Sequence, residues 1–128
     1  MSQAGDILVV DDEVYIVGLI VDLLHDEGYI VRSALNGADA LQIIAEQRPA
    51  LILMDMYMPQ MTGMMMLDHL RSQGISDIPV ILMTASPGAA EQFGTIANVD
   101  FLAKPFDIEE LLVSVSRYVL PPNPSTAM

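Results

Sequence analysis

DILVVDDEVYIVGLIVDLLHDEG, residues 6–28, joins a short apolar run to a helix-period segment, and that junction decides the fold class. Asp6 to Val10 reads as a buried strand that ends in two acids, Asp11 and Asp12. From Val14 to Glu27, Ile16, Leu19, Ile20, Leu23 and Leu24 recur at three- and four-residue spacing. They predict a helix with one buried stripe, stopped by Gly28.

The same alternation repeats downstream. Tyr29 to Ala34 predicts a second strand, and Asn36 caps a helix through Gln47 with Ala40, Leu41, Ile44 and Ala45 inward. Pro49 precedes a third strand at Ala50 to Met54, and a third helix is expected from about Gly63 to Gln73. Val80 to Met83 predicts strand four. Pro87 to Ala97 is a poor fourth helix because Gly88 and Gly94 lie inside it. Val99 to Ala103 is strand five, and Asp107 with Glu110 forms a capping box ahead of Leu111, Leu112 and Val115. Five βα units in about 120 residues favour an open doubly wound α/β sheet over an eight-unit barrel, which needs roughly 250. By analogy the expected architecture is a flavodoxin-like three-layer sandwich, its parallel five-stranded sheet ordered 2-1-3-4-5. Residues 1–120 form the one domain expected. Pro121, Pro122, Asn123, Pro124 and Ser125 cannot continue the last helix, so 121–128 reads as a tail or linker.

Composition narrows the function. Apolar residues make up 52% of the 128, enough for a core, but no apolar run approaches the ~20 residues that cross a bilayer. The N-terminus also lacks a basic region followed by an apolar signal segment, so the expectation is a soluble, cytoplasmic chain. Zero cysteines exclude disulfides, thiolate catalysis and cysteine-bound zinc. Seventeen acids against five cations give a formal net charge of -12, which argues against direct nucleic-acid binding. Lys104 is the sole lysine.

In doubly wound sheets ligands gather at the carboxyl ends of the strands. Here strand one ends in Asp11 and Asp12, strand three in Asp55, strand four in Thr84 and strand five in Lys104. Each has an innocent alternative: Asp12 could cap the first helix, Asp55 start a turn, Thr84 bond its own loop, and Lys104 point to solvent. Together they ask for more. Three carboxylates about 5 Å apart repel by roughly 3 kcal/mol per pair at an effective dielectric near 20, a cost that a cation would offset. Oxygen-only ligands suit Mg²⁺, and a carboxylate beside Mg²⁺ and an ammonium can attack a phosphoryl group.

Distributed motifs sharpen this: Val9-Val10-Asp11-Asp12-Glu13, Met54-Asp55-Met56-Tyr57-Met58-Pro59-Gln60-Met61-Thr62-Gly63, Met83-Thr84-Ala85 and Lys104-Pro105-Phe106. From Asp6 to about Val119 the chain resembles the response-regulator receiver family of two-component signalling. The resemblance implies Asp55 as phosphoacceptor. It implies Mg²⁺ (or Mn²⁺) held by Asp12, Asp55 and the backbone carbonyl of Tyr57, with Asp11 acting through water, and Thr84 and Lys104 on the phosphoryl oxygens. It implies a cis Lys104-Pro105 bond, against the general preference for trans. The expected partners are a histidine kinase or histidine phosphotransfer protein and an output partner or domain; a second copy could also pair through the surface of helix four, strand five and helix five. Thr84 and Phe101 would connect phosphorylation to that surface. Tyr57 and Ser86 flank the site; Tyr57 either tunes water access to the phosphoryl group or simply lies on the surface. Self-phosphorylation and self-dephosphorylation are not turnover, so the chain is expected to be a switch and not an enzyme.

Rivals fit less well. A haloacid-dehalogenase-type phosphotransferase would want a second Asp where Tyr57 stands, and no G-x-G-x-x-G follows strand one for a dinucleotide. Met54, Met56, Met58, Met61, Met64, Met65 and Met66 raise Cu(I), but methionine is also a common core filler. His25 and His69 fall on helices away from the strand ends.

Overall fold

The computed structural model describes residues 5–86, 88, 91, 92, 94 and 96–120. In chain order it has β1 (Ile7–Val10), α1 (Val14–Asp26), β2 (Val31–Ala34), α2 (Gly37–Glu46), β3 (Leu51–Asp55), α3 (Gly63–Ser72), β4 (Val80–Thr84), β5 (Val99–Ala103) and α4 (Ile108–Ser116). The five strands are parallel and ordered β2-β1-β3-β4-β5, as expected from the sequence. The helix expected over 87–97 falls largely on residues outside those described, as does the 121–128 segment.

Side chains alternate across a strand, so each inner strand feeds two cores. Leu8, Val10, Ile52, Met54, Val80 and Leu82 pack on one side with Ala40 and Ile44 of α2 and Met66, Leu67 and Leu70 of α3. Ile7, Val9, Leu51, Leu53, Ile81 and Met83 pack on the other with Ile20 and Leu24 of α1 and Leu111 and Val115 of α4. β1, β3 and β4 are buried on both faces, which is why they read as unbroken apolar runs.

Two helix faces differ from the sequence expectation. Leu19 was expected inward but is 55% exposed, and Val17 joins Ile20 and Leu24 in the buried stripe. α1 is apolar on most sides, so three- and four-residue spacing fits more than one face. Ala45 lies exposed while Ile43 packs against the core; a methyl group loses little by facing water. Tyr29 precedes β2 and is buried, its hydroxyl donating to the Val119 carbonyl at 3.1 Å. β3 and β4 each run one residue further than expected, so Asp55 and Thr84 are the last residues of their strands. The caps hold as expected: Asn36 accepts from the Asp39 amide, and Asp107 with Glu110 completes a reciprocal capping box.

Candidate functional site

Parallel register brings the strand ends side by side. Val10 pairs with Met54, so Asp11 leaves the sheet beside Asp55, and Thr84 is level with Ala103, the residue before Lys104. Asp11 is fully buried. Its Oδ1 accepts from the Glu13 amide at 3.0 Å and its Oδ2 from Lys104 Nζ at 3.2 Å. Asp12 is exposed, and the N-cap of α1 is Glu13 with no side-chain cap, so Asp12 is not engaged as a helix cap. One carboxylate oxygen from each of Asp11, Asp12 and Asp55 lies within 4.8 Å of the others.

Lys104 Nζ sits 2.7 Å from Asp55 Oδ1, bridging the two buried acids. Burial, and to a lesser degree the Asp11 charge, pushes the Asp55 carboxyl above its ordinary value; the Lys104 hydrogen bond and charge and the Tyr57 amide oppose this without cancelling it. Burial pulls the Lys104 ammonium down, but its hydrogen bond to Asp55 and the charges of Asp55 and Asp11 leave it net above its ordinary value. Lys104 is therefore a fixed cation at neutral pH. One ammonium among three carboxylates leaves an excess of negative charge, and the donors are all oxygen, a set that fits a hard divalent cation.

Thr84 is 3% exposed, and its Oγ1 accepts from the Ser86 amide at 3.0 Å, so its hydroxyl proton is left to donate elsewhere. Tyr57 is 53% exposed, its ring on the surface while its amide faces the Asp55 carboxylate. The Lys104-Pro105 bond is cis. Phe101 is not part of this cluster: it is half-buried in β5, packed against the core on the α2–α3 side. His25 ends α1, and His69 contacts Gln73 at 3.2 Å on the exposed side of α3. Met54, Met56, Met58 and Met66 are buried among the apolar side chains of the α2–α3 core, the place of core fillers.

The motifs did not single out Gly63 for its packing. A Cβ built there would lie 2.8 Å from the Asp55 carbonyl oxygen and 3.0 Å from Met56 Cα, and the Gly63 amide donates to the Met56 carbonyl at 2.8 Å. The Glu13 and Ser86 amides that orient Asp11 and Thr84 were equally hidden, because the sequence does not display backbone donors.

A family model described as the response regulator receiver domain matches residues 7–116. The response regulator MprA of Mycobacterium sp. (strain KMS) is 39% identical over 108 residues, covering 83% of this chain and 46% of MprA. The nitrogen assimilation regulatory protein NtrX of Azorhizobium caulinodans is 35% identical over 119 residues, 90% of this chain and 26% of NtrX. The chain thus spans about half the length of MprA and about a quarter of NtrX. Among solved structures, the chemotaxis protein CheY4 of Vibrio cholerae superposes with a TM-score of 0.77 at 31% identity, covering 89% of this chain and 98% of CheY4.

Proposed function

Since the chain belongs to the response-regulator receiver family of two-component systems, we propose that it is a phosphorylation-controlled switch with Asp55 as phosphoacceptor. The observation that carries this is the Asp11, Asp12 and Asp55 carboxylate cluster with Lys104 Nζ 2.7 Å from Asp55. A carboxylate oxygen of Asp55 forms the new bond to phosphorus as the bond from phosphorus to the donor breaks. The donor is the phosphohistidine of a kinase or phosphotransfer protein, or a small acyl phosphate that departs as its carboxylate. Such transfer depends mainly on position and charge neutralisation. Lys104 supplies a permanent ammonium to the phosphoryl oxygens, and the Thr84 hydroxyl supplies a donor.

Asp11, Asp12, Asp55 and the Tyr57 carbonyl are the groups that would hold Mg²⁺ or Mn²⁺. When bound, the ion neutralises phosphoryl charge. The domain is proposed to run to residue 120, with the histidine kinase and the output lying in other chains or other parts of a longer one. A cytoplasmic site of action is part of this proposal; among the described residues no helix is long and apolar enough to cross a membrane. The test is intact-mass measurement after incubation with Mg²⁺ and acetyl phosphate. The chain should gain one phosphoryl group and Asp55→Ala none; an undiminished gain in the variant overturns the assignment.

A further inference from the structure

Of the ten methionines of this chain, the eight among the described residues differ in burial. Met54, Met56, Met58, Met66 and Met83 are 0–6% exposed and shielded from solutes. Among the described residues this leaves Met61 and Met64 partly buried against the α2–α3 core, and Met65 projecting from α3 at 52% exposure. Met61 is different. It is half-buried in the loop between β3 and α3, and its sulfur rests on the first residue of α2: a Cβ built on Gly37 would lie 2.6 Å from Met61 Sδ and 3.1 Å from its Cβ and Cγ. The contact exists because residue 37 has no side chain.

We propose that Met61 is a peroxide-sensitive modification site whose oxidation disables the phosphoacceptor loop; this rests on the proposed role of Asp55. Hydrogen peroxide transfers one oxygen to the Met61 thioether. The O–O bond breaks, an S=O bond forms, sulfur loses two electrons and the second peroxide oxygen leaves as water. The product is larger and polar where an apolar sulfur had packed against the α2 backbone, so it cannot keep the same seat. Met61 has little slack to absorb the change. Its amide donates to the Pro59 carbonyl at 2.7 Å, Gln60 before it holds φ at 71°, and Gly63 is tied to the Met56 carbonyl at 2.8 Å. Displacement of Met61 is therefore passed to residues 56–60, which include the Tyr57 amide that faces Asp55.

The experiment treats the whole chain with hydrogen peroxide, locates sulfoxide by peptide mass mapping, and follows both acetyl-phosphate-dependent phosphorylation and backbone hydrogen exchange. Chain oxidised at Met61 should phosphorylate at least about tenfold more slowly; misplacing a reacting group by about 1 Å can cost on the order of a hundredfold. Amides near residues 37–40 and 56–63 should exchange faster in the same sample, a readout that does not need the site to be active. Met61→Leu preserves apolar volume and should keep its phosphorylation rate after the same treatment, whereas Met65→Leu should remain sensitive. Reduction by a methionine sulfoxide reductase should restore both readouts. The proposal is overturned if Met61 resists oxidation until the buried methionines react, or if Met61→Leu loses phosphorylation as fully as the parent chain. Failure of untreated chain to phosphorylate at all would instead count against the role of Asp55.

Discussion

At the scale of single residues, the Tyr118 hydroxyl donates to the Asp100 carboxylate, joining the segment after α4 to β5. Burial, then the hydrogen bond and charge of Asp100, push the phenol up to about 12, against a smaller pull from Arg117. A phenol whose folded value exceeds its unfolded value near 10 contributes stability below about pH 10, and loses it as pH rises through 12. Ultraviolet titration should show one tyrosine ionising near pH 12, and Asp100→Asn should bring it down toward the ordinary value of about 10; an unmoved midpoint would break the link. Pairings of this kind were not legible in the sequence. Tyr118 and Asp100 are 18 positions apart and Lys104 and Asp11 are 93 apart, and both pairs depend on strand register and helix rotation. Asp11, Asp12, Asp55, Thr84 and Lys104 were legible because each closes an apolar run, and the ends of parallel strands converge whatever the side chains do.

At the scale of elements, strands and caps could be read because they carry local chemistry: apolar runs, the Asn36 cap, the Asp107 and Glu110 box. The rotation of α1 could not, because Leu19 and Val17 are equally apolar and only the tertiary contact chooses between them. The turn into α3 gives a sharp prediction. Gly63→Ala would drive a methyl group to within 2.8 Å of the Asp55 carbonyl oxygen, against backbone that cannot swing aside. Denaturant unfolding should show a loss of about 1–3 kcal/mol, with slower phosphorylation in the protein that remains folded; a neutral substitution would contradict the packing. β5 carries the second. Phe101 is half-buried and borders a groove lined by Leu102, Val113 and Arg117, so it has somewhere to move from and a core to move into. NMR spectra with and without beryllofluoride should show Phe101 turning inward as Thr84 engages the phosphoryl mimic. If Phe101 keeps one rotamer while the segment after Ser86 rearranges, the aromatic relay is wrong and the phosphoacceptor stands.

For the molecule as a whole, a net charge of -12 with three carboxylates gathered at one end makes the metal-free state electrostatically uneasy. Mg²⁺ that binds the folded chain should stabilise it by about 2.7 kcal/mol at a hundredfold excess over its dissociation constant. Asp12→Ala should lose most of that gain in a thermal melt. Without metal and at low salt it should match or exceed the parent by at most about 1 kcal/mol, because Asp12 is exposed and its repulsion is screened by water. A variant that melts lower without metal and responds to Mg²⁺ like the parent would return Asp12 to a structural role. The sheet has a consequence of another kind. Odd-numbered side chains of β1 face one layer and even-numbered ones the other, so neighbours in sequence such as Val9 and Val10 share no packing partners. Losses at positions on opposite faces and more than about 10 Å apart should therefore add independently, and the void left by shrinking Val10 opens toward α2 and α3, so an enlargement that fills it must come from that layer and not from beside α1.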